Sequence, residues 1–279
     1  MILSVFDIYS PAHLPRLIPE LDALGYHRFW ATEHHSPAQS ASPTLIACLA
    51  AVMTSRMRVG TAGIMLNYAA PAKVAEDFRV LELYFAGRID LGITSAPAEN
   101  EELYLDGRPR SDRAAFAARA RMLVELVRGE HPVVVGPRAA TQPELWLCGS
   151  SVSSAMLAGS LGMYFACHRR GAGSSELARA AIDAYRDGFR GAGEPYAAIA
   201  LQGACARSER AARQLWREGS DAPCFVGKGA ACVEQIDGRI SECGADEAVL
   251  QILTEDIDAR LAGYRLLADA AGLAIEVRT

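Results

Sequence analysis

The residues best suited to chemistry in this chain stand at the ends of apolar runs. Phe29-Trp30-Ala31-Thr32 gives way without a break to Glu33-His34-His35. A strand that passes through a core and then delivers a carboxylate and two imidazoles resembles the ligand-binding end of parallel α/β folds, which lies at the carboxyl ends of the strands. An imidazole titrates near neutral pH, so a histidine here could serve as general acid or base. The competing reading is a strand end whose imidazoles only cap loops. A second run has the same form, with Leu145-Trp146-Leu147-Cys148 leading into Gly149-Ser150-Ser151-Val152-Ser153-Ser154. Glycine lets an anion approach the backbone, a helix start offers free N–H groups, and hydroxyls add donors. An ordinary serine N-cap would look the same.

Other chemistries find less support. Gly227-Lys228-Gly229 has no glycine five positions before it and alanine where a phosphate loop needs Ser or Thr, so it reads as a turn before a helix. No G-x-S-x-G nucleophile elbow occurs. The seven cysteines (48, 148, 167, 205, 224, 232 and 243) include no C-x-x-C pair, and an odd number cannot pair completely, so reduced and mostly buried thiols are expected. Adjacent His34 and His35 do not have the i, i+4 spacing that aims two rings at one metal ion. Trp30 and Trp146 read as core or wall residues.

Composition sets the outer bounds. The chain has 279 residues, 51% of them hydrophobic, and a net charge of −5. That is enough for one sizeable core. Charges of both signs are interspersed, and no basic stripe points to nucleic acid. No apolar run approaches the ~18 residues of a membrane span. The first residues lack a basic segment followed by a long apolar stretch, so no signal peptide and a cytoplasmic location are expected.

Positioning these residues requires strands and helices in alternation, and the periodicities supply them. Strands are expected at residues 2–8, 27–32, 57–66, 89–94, 145–148, 163–167, 199–206 and 248–253. Helices are expected between them: through Leu17, Leu21 and Leu24; from Ser42-Pro43 with Leu45, Leu49 and Val52; from Pro71 through Val74, Phe78 and Leu81; over 111–127 with Phe116, Met122, Leu123 and Leu126 inward; from about Ser153; and over 177–189, 208–216, 230–243 and 257–271. Gly60 and Gly63, inside the third strand, suggest a bulge or a close backbone approach. About eight strand–helix units in one domain, residues 1–279, match the size of a (β/α)8 TIM barrel, with a doubly wound sheet as runner-up. Residues 96–109 and 169–175 read as mouth loops.

Several stretches, in order, resemble the bacterial luciferase-like, flavin-dependent monooxygenase family. They are Trp30 to His35, Ser42-Pro43, Thr54 with Arg58-Val59-Gly60, Pro71 with Ala75-Glu76 and Leu81, Gly87-Arg88-Ile89-Asp90-Leu91-Gly92, Leu145 to Ser151, and Gly244-Ala245-Asp246-Glu247. The resemblance implies a luciferase-like (β/α)8 barrel, usually a homodimer, that uses reduced FMN from a separate flavin reductase. Oxygen then adds at the flavin C4a, and the peroxide oxygenates a small or polyketide-like organic substrate. It places His34 at the family's catalytic histidine, with Glu33 beside it among the cofactor-binding residues. It places Gly149, Ser150, Ser151 and Ser153 at the phosphate-binding turn, Ala62-Gly63 at a non-prolyl cis peptide beneath the flavin ring, and Thr94 beside the isoalloxazine.

The departures from the family pattern are equally specific. Ser95 stands where relatives commonly carry an arginine that meets the phosphate. Asn67-Tyr68 replaces a proline followed by a small polar residue. The stretch 96–111 and the region before Gly227 look short, which could leave the site open. Arg108, Arg110, Arg113, His168 and Arg169 are the candidates to replace the missing cation. These departures keep two alternatives in play: a non-catalytic flavin-binding homologue, and a deazaflavin-dependent hydride-transfer oxidoreductase on the same fold. A dimer would need the helices carrying Leu45, Leu49 and Val52 and Val74, Phe78 and Leu81 to offer apolar surface beyond the needs of the core.

Overall fold

Parallel strands that are apolar on both faces are stable only when each face is covered. Here the strands close on themselves, and helices wrap the outside. The structure, a computed structural model, describes residues 1–9, 11–36, 39, 41–105, 107, 109, 112–168, 175–216 and 222–273. Its strands are β1 (Ile2–Asp7), β2 (Arg28–Ala31), β3 (Arg58–Thr61), β4 (Ile64–Met65), β5 (Ile89–Thr94), β6 (Glu144–Gly149), β7 (Tyr164–His168), β8 (Ala197–Cys205), β9 (Phe225–Gly227) and β10 (Glu247–Ile252). The order β1-β2-β3-β5-β6-β7-β8-β10 returns to β1 with every pairing parallel, which is the expected eight-stranded barrel. β4 pairs with β5, and β9 runs beside β8.

The helices are α1 (Leu14–Ala23), α2 (Pro43–Met53), α3 (Pro71–Tyr84), α4 (Glu102–Leu105), α5 (Arg113–Arg128), α6 (Val152–Ser160), α7 (Ser175–Gly188), α8 (Glu209–Trp216), α9 (Gly229–Cys243) and α10 (Ile257–Ala271). Because side chains alternate along a strand, each barrel strand serves two layers. Leu3, Val5, Phe29, Val59, Leu91, Leu147, Phe165, Ile199 and Leu250 point outward into the layer shared with the helices. Phe6, Trp30, Trp146, Cys148, Ala166, Ala198 and Val249 form a separate cluster inside the barrel. Trp30 and Trp146 cross there edge to face, ring centroids 4.9 Å apart.

The amino-terminal end of the barrel is closed by charge. Arg28 donates to Asp90 at 2.7 Å and to Glu247 at 2.8 Å, and Arg58 donates to Asp90 at 2.6 Å. Trp30 adds its indole N–H to the same carboxylate at 2.9 Å, and Tyr196 donates to Glu247 at 2.8 Å. Burial alone would push the Asp90 carboxyl up; Arg28 and Arg58 reverse this and hold it below the usual carboxylate range. Glu144, at the edge of the group, moves the other way, raised by burial and by the Asp90 charge.

The apolar stripes of the helices divide between core and surface, and one expectation, at Met122, needs correction. In α2 the stripe Leu45, Leu49 and Val52 faces outward, 65%, 53% and 68% exposed, while Ile46, Ala47, Ala50 and Ala51 are buried. Both stripes have helical spacing, and only the small alanines fit close against the barrel. In α3 it is Val74, Phe78 and Leu81 that are buried, and Val80, Leu83 and Tyr84 that are exposed. Met122 of α5, expected inward, is exposed as well. The expected start of α5 at Ser111 lies outside the described residues; Asp112 caps the helix by accepting from Ala115 N.

The third strand is interrupted where its glycines predicted. A Cβ on Gly60 would sit 2.1 Å from the Asp90 carbonyl oxygen, so only glycine allows β3 and β5 to approach this closely. The Ala62–Gly63 peptide is cis, and it separates β3 from β4.

Candidate active site

A cavity of about 460 Å³ opens at the carboxyl end of the barrel. Its floor is the interior cluster, with Phe6, Trp30, Ala166 and Val249 among its lining, and Ile8 and Ala200 continue the apolar wall. Around the rim stand Thr32, Glu33, His34, Ala62, Gly63, Thr94, Gly149 and Ser150, together with His168 and Gln202. Of the residues singled out after β2, β3, β5 and β6, Glu33, His34, Ala62, Gly63, Thr94, Gly149 and Ser150 line this one cavity, while His35, Ser95, Ser151 and Ser153 do not. The strands explain this convergence: Trp30 pairs with Gly60 and with Phe6, and Gly149 pairs with Cys167, so adjacent strands bring their last inward residues to one level.

Ser151 and Ser153 line a second, smaller pocket of about 230 Å³, with Asn67, Ser95, Asp112, Arg113, Phe116, Ser154 and Leu157. The split follows from the turn. Ser151 is the N-cap of α6, its hydroxyl accepting from Ser154 N, while Ser150 still faces the barrel. The turn is tight: a Cβ on Gly149 would sit 2.7 Å from the Ser154 Cβ.

Glu33 has both carboxylate oxygens engaged. Oε1 lies 2.9 Å from His35 Nε2, and Oε2 accepts from Met65 N at 2.8 Å. It therefore ties the end of β2 to β4, and its contribution at the cavity is to position its neighbours. His35 packs against Tyr104 of α4 with ring centroids 4.0 Å apart. Tyr68 donates to Glu101 Oε2 at 3.0 Å and accepts from Ala98 N at 3.1 Å. The segment 96–105, expected as an open loop, is thus clasped over one side of the mouth and carries a short helix.

Sequence reasoning missed Gln202 and placed His168 only among cation candidates. Gln202 interrupts an apolar strand, on the same parity as Ala198 and Ala200, and that was the available signal. Its Nε2 donates to Gln251 Oε1 at 2.6 Å. His168 meets Phe6 edge-on, centroids 6.1 Å apart. Cys148 also lines the cavity, and burial pushes its thiol up to about 12, so this wall offers a protonated sulfur. Among the cation candidates, Arg108, Arg110 and Arg169 lie outside the described residues. Among the described residues no group of three or more His, Cys, Asp or Glu is placed to hold a metal ion. No described helix is long and apolar enough to cross a membrane.

Residues 7–222 match the sequence profile of luciferase-like monooxygenases. The chain belongs to that family. An uncharacterized protein, YwcH, of Bacillus subtilis strain 168 is 35% identical over 205 residues, covering 69% of this chain and 61% of the relative. A luciferase-like monooxygenase of Escherichia coli K12 is 33% identical over 203 residues, covering 69% and 60%. The matched stretch thus spans about three fifths of the length of these curated family members. Over almost the whole chain the structure resembles that of apo-MsnO8, with a TM-score of 0.85, 26% identity, and 98% and 99% coverage. Two more distant structures share the fold: the oxygenating constituent of a 3,6-diketocamphane monooxygenase from Pseudomonas putida in complex with FMN (TM-score 0.75, 16% identity, 97% of each chain), and an F420-dependent secondary alcohol dehydrogenase (TM-score 0.76, 14% identity, 96% and 98%).

Proposed function

We propose that this luciferase-like monooxygenase uses FMN, reduced by a separate flavin reductase, and O2 to oxygenate a small or polyketide-like organic substrate. The observation that carries the proposal is that His34 and Ser150, from strands on different sides of the barrel, line one cavity above an apolar floor. The residues fit a flavin. The volume lies in the range of cofactor pockets. The floor suits a flat aromatic ring, and the rim supplies a few polar groups. Beside the cavity the buried Asn67 Oδ1 has no hydrogen-bond partner, an orphan a ligand would satisfy.

When bound, reduced flavin would supply the two electrons and the carbon at which O2 is activated. The rest falls to the chain. Phe6, Ile8, Ala166, Ala200 and Val249 keep water from the reacting atoms. His34 holds or moves a proton at the reacting oxygen through its imidazole. Ala62, Gly63, Thr94 and Ser150, which line the cavity, are the residues that would hold the cofactor. Gln202, steadied by Gln251, lines the same cavity and would offer its amide to a bound substrate.

The test is oxygen uptake and substrate mass gain with the purified chain, FMN and a reductase, run beside a reduced-deazaflavin arm. Substrate gaining one oxygen with FMN sustains the proposal. Tight FMN binding without oxygenation selects the non-catalytic homologue. Turnover with deazaflavin alone selects hydride transfer. A homodimer belongs to the same proposal, supported by the exposed apolar residues of the neighbouring helices α2 and α3. Light scattering should give twice the monomer mass, and Leu45→Arg with Leu49→Arg should give the monomer; a native monomer at micromolar concentration removes the dimer.

A further inference from the structure

The lining of the main cavity divides by strand. Around the barrel β2, β3, β5 and β6 are consecutive, and so are β7, β8, β10 and β1. The first four carry His34 and the residues that would hold the cofactor. The second four contribute Phe6, Ile8, Ala166, Ala200 and Val249, with two polar side chains among them, His168 and Gln202. β2 and β7 stand four places apart in the ring of eight, so His34 and His168 lie on opposite sides of the opening. Small residues make the space on the second side. A barrel of this class usually fills its interior with bulky branched side chains; here the inward positions before His168 and Gln202 are Ala166, Ala198 and Ala200.

His168 is level with Ala200, and Gln202 is the next inward position on that adjacent strand. Gln202 Nε2 donates to Gln251 Oε1 at 2.6 Å, and Gln251 is only 1% exposed, so the Gln202 amide is anchored on a buried group. Gln202 makes no other side-chain hydrogen bond among the described residues, which leaves its Oε1 and one N–H. Among the described residues no other titratable group lines this half, and no Lys or Arg lines the cavity at all. A neutral imidazole offers one donor and one acceptor, and the remaining edge of Gln202 offers the same. A hydroxyl both gives and takes a hydrogen bond, so it can answer both side chains. A carbonyl only takes, and would leave the Gln202 Oε1 unanswered at a cost. A carboxylate or sulfonate also only takes, and would call for a cation.

We propose that His168 and Gln202 are the specificity-determining pair of this enzyme, and that they select a neutral substrate carrying a hydroxyl, phenolic or enolic, on an otherwise apolar body. This rests on the reading that a flavin occupies the β2 to β6 side of the cavity. The hydroxyl lies between imidazole and amide, the apolar body lies against Phe6, Ile8 and Val249, and His34 remains across the opening for the oxygen chemistry.

Equilibrium dialysis of the whole chain against 2-naphthol and against naphthalene, which lacks only the hydroxyl, tests this, with and without saturating FMN. The native chain should prefer 2-naphthol by about fivefold or more, the worth of a hydrogen bond, and FMN should not displace it. His168→Phe and Gln202→Leu should each remove part of that preference and together remove all of it. Naphthalene and FMN affinities should stay native in these variants, which also reports an intact fold. Equal affinity for the two probes in the native chain, none included, a preference untouched by both substitutions, or displacement of 2-naphthol by FMN overturns the assignment, and normal FMN binding in the same samples leaves the flavin reading standing. Absence of FMN binding, with the hydroxyl preference present and lost in the double variant, overturns the flavin reading and leaves the pair its role.

Discussion

At the amino-terminal end of the barrel, Arg28, Arg58, Asp90, Glu144 and Glu247 turn their charges on one another, with Trp30 and Tyr196 filling the remaining valences. At the carboxyl end the same strands bring His34, Thr94, Ser150, His168 and Gln202 to the wall of a cavity of about 460 Å³. Strand for strand the two ends are a few residues apart: Arg28 and His34 lie on one connected run, as do Asp90 and Thr94. A polar side chain inside a barrel needs a partner. At one end that partner is another side chain, and the result is a plug. At the other end there is room for a ligand, and the result is a site. Polarity inside the barrel therefore marks function only where space accompanies it.

Breaking each end in turn should show that separation. The largest effect is expected at the plug. Arg28→Met leaves Asp90 and Glu247 buried without their central cation and should cost roughly 3–5 kcal/mol of stability, read as a lowered denaturation midpoint in urea. A loss below about 1 kcal/mol would mean that Arg58 and Tyr196 alone satisfy the carboxylates. At the mouth, His34→Gln should lower oxygenation on the order of a hundredfold and leave the urea midpoint within about 0.5 kcal/mol of native. A stability loss comparable to that of Arg28→Met would place His34 with the plug.

The pH dependence of unfolding sharpens the same contrast. Asp90 and Asp22 have folded pKa values below their unfolded ones, since burial is outweighed at Asp90 by Arg28 and Arg58, and at Asp22 by backbone N–H donors. Their stabilisation is complete above about pH 4, the ordinary carboxylate value, and disappears as pH falls through the depressed folded values. Asp7 has the opposite sign: burial raises its pKa against the pull of Arg260, so protonation favours the folded state and offsets part of the acid loss. Thermal melts between pH 7 and pH 2 should show no loss from Asp90 and Asp22 until about pH 4 and a fall below it, and Asp90→Asn should flatten that fall. The smallest effect belongs to the mouth clasp. Tyr104→Ala removes a ring contact with His35 and should cost about 1 kcal/mol, with faster proteolytic nicking of the 96–105 segment as its local sign.

Much of this was visible in the order of residues. Period-two and period-3.6 patterns located the strands and helices, and eight repeats of strand and helix implied a closed parallel barrel, because short strand–helix units can close in few other ways. Gly60 announced the close approach of β3 to β5. His34 and Ser150 each follow an apolar run with no intervening turn, a pattern that left a capping role open, and the family resemblance is what singled them out. Less visible was which of two apolar stripes an amphipathic helix buries. Met122 read as part of the inward stripe of α5 and is exposed, and in α2 barrel packing buries Ile46, Ala47, Ala50 and Ala51 while Leu45, Leu49 and Val52 stay outside. Gln202 was hidden in an apolar strand, since parity places a residue inside a barrel without saying whether a cavity lies beside it.

The amino-acid sequence by itself determined the barrel, the level at which polar groups emerge and the identity of the groups at that level, because backbone periodicity and side-chain chemistry are local properties. Tertiary structure alone decided what stands opposite each group. It engaged Glu33 with Met65 N and His35, sent Ser150 and Ser151 to different cavities, and brought Ser95 and Arg113 to one pocket. Those pairings join elements far apart in the chain, and they exist only once the barrel has closed.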